Sequence, residues 1–144
     1  MSRLLFVYGT LMSRADTALG REQRARLARE GRSLGAAMIV ARLYDLGAYP
    51  GITQVGPWPG PDARAQIVHG EVYELDDPAR TFTWLDPYES IFPECAPDCE
   101  YRREMADVVL AADPRNALRA QVYVYRAALG EAREVEGGRW RVRT

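Results

Sequence analysis

The stretch Leu4-Leu5-Phe6-Val7-Tyr8-Gly9-Thr10-Leu11 limits what this chain can fold into more than any other. It is a continuous apolar run, rich in branched and aromatic side chains, that ends in a bend at Gly9-Thr10. Such a run fits a strand buried on both faces, so the rest of the chain must supply cover on two sides. Gly9 tolerates backbone angles closed to other residues and lets a neighbouring group approach the main chain. A tight bend at a strand end can also turn successive N–H groups toward one point, which suits a small anion such as a carboxylate.

Length and composition are compatible with that demand. The 144 residues, 47% of them apolar with a net charge of −1, fit a single domain over residues 1–144 with a real core. The charge balance is not that of a nucleic-acid binder or a disordered tail. No apolar run reaches membrane-spanning length, so no membrane partner is expected. The first residues lack the apolar core and cleavage site of a signal peptide, which makes the cytoplasm the expected location. All 19 basic residues are Arg. The absence of Lys excludes a Schiff-base lysine and a phosphate-loop lysine. His69 is the one histidine, so any zinc site or His-activated nucleophile would have to use it. Chemistry is expected to rest on carboxylates, hydroxyls and backbone amides, without metal or organic cofactor.

Along the chain, Ser13 to Gly31 reads as a short helix or surface arm, capped by Ser13 or Asp16 and stopped at Gly31. Its arginines, interleaved with Glu22 and Glu30, read as a solvated face. Leu34 to Leu46 reads as a strand, followed by a turn from Gly47 through Tyr49-Pro50-Gly51 and a loop from Gln54 to Ala65. Ile67 to Leu75 alternates as a strand in which Gly70 permits a close approach or a bulge. Glu71 and Glu74 read as solvated strand acids. Asp76-Asp77-Pro78 opens a short helix that places Phe82, Leu85 and Glu89 on one face and is interrupted near its end by Pro87. Asp86 there suits helix-end hydrogen bonding.

The loop from Ser90 to Glu100 holds Cys95 and Cys99. With no second pair, metal is not expected, and a cytoplasmic setting favours free thiols. Tyr101 to Ala111 and Ala120 to Ala127 read as antiparallel partners joined through a turn at Asp113-Pro114-Arg115-Asn116. Trp140 suggests an anchored aromatic near the end. The sum is a β-rich α+β domain of five to seven strands and two helices, with the first strand, the second helix and the final hairpin packed together.

Several of these stretches together resemble the γ-glutamylcyclotransferase-like family, which includes the AIG2-like proteins and γ-glutamylamine cyclotransferases. Tyr8-Gly9-Thr10-Leu11 is similar to its opening signature. Blocks at Tyr44 to Gly51, Val68 to Leu75, Leu85-Asp86-Pro87-Tyr88-Glu89 with Tyr101-Arg102-Arg103, and Val122 to Tyr125 follow in family order. The resemblance implies a small mixed β-barrel with flanking helices whose cavity takes a γ-glutamyl group. It also implies conversion of a small-molecule γ-glutamyl substrate to 5-oxoproline with release of an amine or amino acid.

By the same resemblance, Tyr8, Gly9, Thr10 and Leu11 match the loop whose main chain holds the glutamyl α-carboxylate and amine. Glu89 matches the catalytic carboxylate, acting as general acid and base, and Tyr101 matches a pocket tyrosine. Taken alone, Glu89 reads as a surface acid at a helix end or a partner for Arg102 or Arg103, and Tyr101 and Tyr125 suit hairpin packing as well as substrate contact. The alternative to an enzyme is a non-catalytic domain of the same fold that binds a small carboxylate. Two features depart from the family pattern: Ser90 stands where Gly is usual, and the loop from Ser90 to Glu100 is long.

Overall fold

The computed structural model describes residues 2–9, 11–12, 20–47, 49–96 and 98–140. In chain order these form β1 (Leu4–Val7), α1 (Arg21–Glu30), β2 (Gly31–Asp45), β3 (Pro50–Gly56), β4 (Ile67–Leu75), α2 (Pro78–Tyr88), β5 (Tyr101–Leu110), β6 (Asp113–Tyr125), β7 (Arg133–Glu134) and a 3-10 turn at Glu136–Gly138. The sheet runs β3-β2-β4-β1-β6-β5, and β5 pairs back onto β2. Five strands thereby close into a barrel with β3 and β7 extending β2. β1 is antiparallel to β4 but parallel to β6, so the barrel is mixed, as expected.

β1 lies between two neighbours, and its side chains alternate between two buried clusters. Phe6 and Tyr8 join the cluster inside the barrel with Ile39, Val68, Val72, Val108 and Val122. Leu5 and Val7 join a second cluster outside the wall, with Leu27 of α1 and Phe82 and Leu85 of α2. The continuous apolar run of β1 therefore meets apolar neighbours on both faces. The expected packing of first strand, second helix and final hairpin is present, since Tyr101 and Tyr123 belong to that same outer cluster.

Gly70 makes the close approach its position suggested. A Cβ there would lie 2.2 Å from the Val7 carbonyl oxygen and 2.6 Å from Phe6 Cζ. α2 opens as expected, with Asp77 accepting from the Arg80 N–H at 3.3 Å and Pro78 in the first turn.

Four local expectations differ from the structure. The first helix begins at Arg21 behind Gly20, in left-handed conformation; Ser13 and Asp16 lie outside the described residues. Gly31 stops it by turning extended into β2, where a Cβ would meet the Glu74 carbonyl oxygen at 2.6 Å. Pro50-Gly51 is the start of β3, paired with Tyr44 and Asp45, and not a turn. Those residues carry turn chemistry, but Pro is also at home as the first residue of a strand. The reversal between β5 and β6 falls at Ala111-Ala112, because Leu110 already pairs with Asp113. Glu71 is buried beside Ser33, whose hydroxyl donates to it, whereas Glu74 is half-exposed and paired with Arg32.

Cys95 and Cys99 are joined in a disulfide, contrary to the expectation of free thiols. That expectation came from an inferred compartment and not from the two residues themselves, whose Cα atoms lie 4.9 Å apart. No helix is long and apolar enough to cross a membrane among the described residues.

Candidate active site

Five elements, β1, β3, α2, β5 and β6, bring one end or one side chain to the same place. The C-terminal end of β1 delivers Tyr8 and Gly9, the segment entering β3 delivers Tyr49 and Pro50, and α2 ends at Glu89. β5 begins at Tyr101, and β6 contributes Tyr123. Together they enclose a cavity of about 230 Å³, to which Leu11, Tyr88 and Ser90 also contribute. This lies below the roughly 300–1,000 Å³ of drug-sized pockets and suits a small metabolite. Of the residues singled out in the sequence, Tyr8, Gly9, Leu11, Glu89 and Tyr101 line it. Thr10 lies outside the described residues. Tyr125 does not belong to the wall; its ring stands edge-on to Tyr101, 5.2 Å between centroids, and supports it from behind.

The tyrosines are fixed by their hydroxyls. Tyr8 donates to the Tyr123 carbonyl oxygen at 2.7 Å and Tyr101 to the Pro50 carbonyl oxygen at 2.9 Å. Tyr123 donates to Asp86 Oδ1 at 2.6 Å. Burial is the main reason that all three phenols lie well above the ordinary tyrosine range, with the negative charge of Glu89 adding to it. They are neutral walls and donors across the physiological range. Gly9 lies close against β3, since a Cβ there would stand 3.0 Å from the Pro50 ring.

Glu89 is held by the end of α2. Its N–H donates to Leu85 O at 2.9 Å, Ser90 N–H to Pro87 O at 3.0 Å, and Ile91 N–H to Asp86 O at 2.9 Å. This is the double closure of a Schellman motif, which places a left-handed residue after the cap. Ser90 is that residue, with φ 62°. Such a position favours Gly, and Ser90 adopts it despite its Cβ.

Glu89 keeps partial access to solvent through the mouth. Burial among the surrounding protein atoms, and secondly the charge of Asp86, push its carboxyl up to a pKa of about 7. A carboxyl poised there can both accept and return a proton near neutral pH. Arg103 is not its partner. That guanidinium makes a forked pair with Asp86, Nε to Oδ1 at 3.0 Å and Nη2 to Oδ2 at 3.2 Å, and also donates to Gln121 Oε1 at 2.7 Å.

Tyr123, Tyr49 and Tyr88 were not singled out from sequence as wall residues. Tyr123 reads there as one member of an alternating strand, and no local signal marks which face meets the cavity. His69 sits in β4 with its pKa lowered by burial and by Arg139, away from this wall. No group of three or more His, Cys, Asp or Glu suited to a metal ion occurs among the described residues.

The family profile described as gamma-glutamyl cyclotransferase, AIG2-like, matches residues 5–142. The chain belongs to that family. A Vibrio cholerae protein bearing the name "Putative gamma-glutamylcyclotransferase" is 30% identical to this AIG2-like chain over 142 residues, covering 97% of it and 96% of the relative. Among solved structures, an AIG2-like protein from Mus musculus superposes with a TM-score of 0.56 at 23% identity, covering 85% of this chain and 76% of the mouse chain. An uncharacterised Pyrococcus horikoshii protein superposes with a TM-score of 0.55 at 19% identity, covering 96% and 89%. The Escherichia coli protein ytfP does so at 0.50 with 26% identity, covering 95% of each. The mouse and Pyrococcus likenesses establish the barrel fold of this AIG2-like chain.

Proposed function

We propose that this chain, as one domain over residues 1–144, is a γ-glutamyl cyclotransferase. It cyclises a γ-glutamyl group to 5-oxoproline and releases an amine or amino acid, in the cytoplasm and without metal or organic cofactor. The observation that carries the reading is the carboxyl of Glu89, the one carboxyl among the described residues of the wall, poised at about pH 7 beside tyrosines that stay neutral.

The chemistry needs little more. The substrate α-amine attacks its own γ-carbonyl carbon, forming the ring C–N bond, and the bond to the leaving nitrogen breaks. The amine loses a proton as it attacks, and the leaving nitrogen gains one. Glu89 takes the first and returns it to the second, acting as general base and then general acid. Confinement of the flexible glutamyl chain in a cavity of about 230 Å³ supplies the proximity on which a ring closure depends. Main-chain N–H groups of the Tyr8-Gly9-Thr10-Leu11 bend hold the α-carboxylate, since no cationic side chain is among the described residues of the wall. Tyr101 shapes the pocket for the glutamyl chain.

The test is release of 5-oxoproline, followed by mass spectrometry, from a panel of γ-glutamyl amino acids and γ-glutamyl amines. Wild type turns over at least one of them, and Glu89→Gln loses at least 100-fold in kcat, the lower range for a general acid–base group, while keeping its circular dichroism. Full turnover in Glu89→Gln removes Glu89 from the chemistry. Binding of 5-oxoproline without turnover of any substrate makes the chain a carboxylate-binding domain instead.

A further inference from the structure

Asp86 stands one helical turn before Glu89 on α2 and does not itself line the cavity. Four interactions converge on it. Arg103 of β5 grips both carboxylate oxygens, at 3.0 and 3.2 Å, and Tyr123 of β6 donates to one of them at 2.6 Å. Its carbonyl oxygen accepts the Ile91 N–H that closes the helix end. Arg103 is in turn held by Gln121 at 2.7 Å and lies 3.9 Å over the Phe82 ring. Tyr123 ties the network back to β1, since its carbonyl receives the Tyr8 hydroxyl. One carboxylate thus fastens the end of α2 to β5 and β6 directly, and to β1 through Tyr123.

A helix end that merely needed anchoring would be served by an apolar contact. A charged pair, half-hidden from water with side chains 23% exposed on both partners, carries a desolvation cost that an apolar contact does not. What the charge adds is its effect on a neighbour. Residues three apart on a helix face one another closely, and the negative charge of Asp86 opposes that of Glu89.

We propose that Asp86, clamped by Arg103 and Tyr123, is the positioning residue for Glu89: it fixes the helical turn from which that carboxyl projects and supplies the negative charge beside it. Among the described residues, the other titratable side chains of the cavity wall are Tyr8 at the end of β1, Tyr49 before β3, Tyr88 on α2, Tyr101 on β5 and Tyr123 on β6. All are tyrosines, so the Asp86–Arg103 pair is the charged neighbour whose halves can be removed one at a time. Removing the negative half leaves a cation, which favours ionised Glu89. Removing the positive half leaves an uncompensated anion, which disfavours it.

This inference rests on Glu89 being the proton carrier, but its test does not require turnover. The Glu89 side-chain carboxyl is titrated by carbon NMR on glutamate-labelled protein, with its resonance assigned by loss in Glu89→Gln. Asp86→Asn lowers the midpoint by about 0.5–1 pH unit and Arg103→Gln raises it by a similar amount. Arg103→Lys keeps the charge but loses the fork; its midpoint stays at the wild-type value while kcat falls several-fold with KM little changed. Where a substrate is known, the kcat/KM profiles shift in the same directions. An unmoved midpoint in Asp86→Asn, or a fall in both Asp86→Asn and Arg103→Gln, overturns the proposal. Should Asp86→Asn not fold, the two Arg103 variants decide it by the same criteria. Opposite shifts without turnover on any γ-glutamyl compound would uphold the coupling and count against the reaction, so the two failures are separable.

Discussion

A glutamate whose pKa rises to about 7 on folding makes stability depend on pH in a definite direction. The folded protein holds this proton more tightly than the unfolded chain does. The stabilisation is fully present below the ordinary carboxylate pKa of 4.5 and is lost as pH rises through about 7. Above that, ionised Glu89 disfavours the native state by about 3 kcal/mol on linkage arithmetic. Glu89→Gln removes the titration and keeps the shape. Urea denaturation is therefore expected to find the variant about 1–3 kcal/mol more stable than wild type at pH 8.5 and within about 0.5 kcal/mol of it at pH 4.5. Equal differences at the two pH values would mean that Glu89 titrates normally. Glu30 is an acid with the opposite sign. Burial pushes its pKa up, but hydrogen bonds from Trp84, Arg26 and Thr81 outweigh that and hold it below the usual range. Its contribution is present above the ordinary carboxylate pKa and is lost on acidification through its depressed folded value.

At the level of elements, the end of α2 is where the chain departs from the expected pattern and where the structure explains the departure. Ser90 occupies a left-handed position at φ 62°, which costs a residue with a Cβ about 1–2 kcal/mol. Ser90→Gly relieves that strain, partly offset by the greater freedom of Gly in the unfolded chain. A gain of about 0.5–1 kcal/mol is expected, seen as a rise in melting temperature of about 1–4 °C for a chain of this size. A loss of stability would mean that the Ser90 side chain makes a contact outweighing the strain. This helix was legible because Asp77-Pro78 is a strong start signal and Pro87 falls in its last turn. β3 was not, because Pro50, Gly51 and Gly56 are residues of turns as well as of edge strands. Only pairing with β2, to which Ile52 brings a fully buried side chain, decides between the two. The site divided in the same way. Gly9 stands out in a short local pattern and Glu89 through the family resemblance, whereas Tyr49 and Tyr123 reach the wall only because the barrel closes.

Closure of the whole molecule depends on how near β1 and β4 can come. Leu4 to Val7 run against Glu74 to Glu71, and one residue beyond that register stands Gly70, where a Cβ would lie 2.2 Å from the Val7 carbonyl oxygen. Main chain cannot move aside as a flexible side chain can, so Gly70→Ala must push β1 out of the barrel or break the ladder beside it. The damage also reaches the cavity, because Val7 leads directly into Tyr8 and Gly9. Loss of more than about 3 kcal/mol is expected, or failure to fold, together with loss of any activity that depends on the bend after β1. Gly35→Ala is the matched comparison. Gly35 also sits in a strand, at φ 104°, but a Cβ there would meet nothing within 4 Å, so only backbone strain of about 1–3 kcal/mol is incurred. Urea denaturation of the two variants separates steric exclusion from strain. A Gly70→Ala protein as stable as Gly35→Ala would show that β1 can shift within the wall, and the rigid delivery of Tyr8 and Gly9 to the cavity would no longer follow from the barrel.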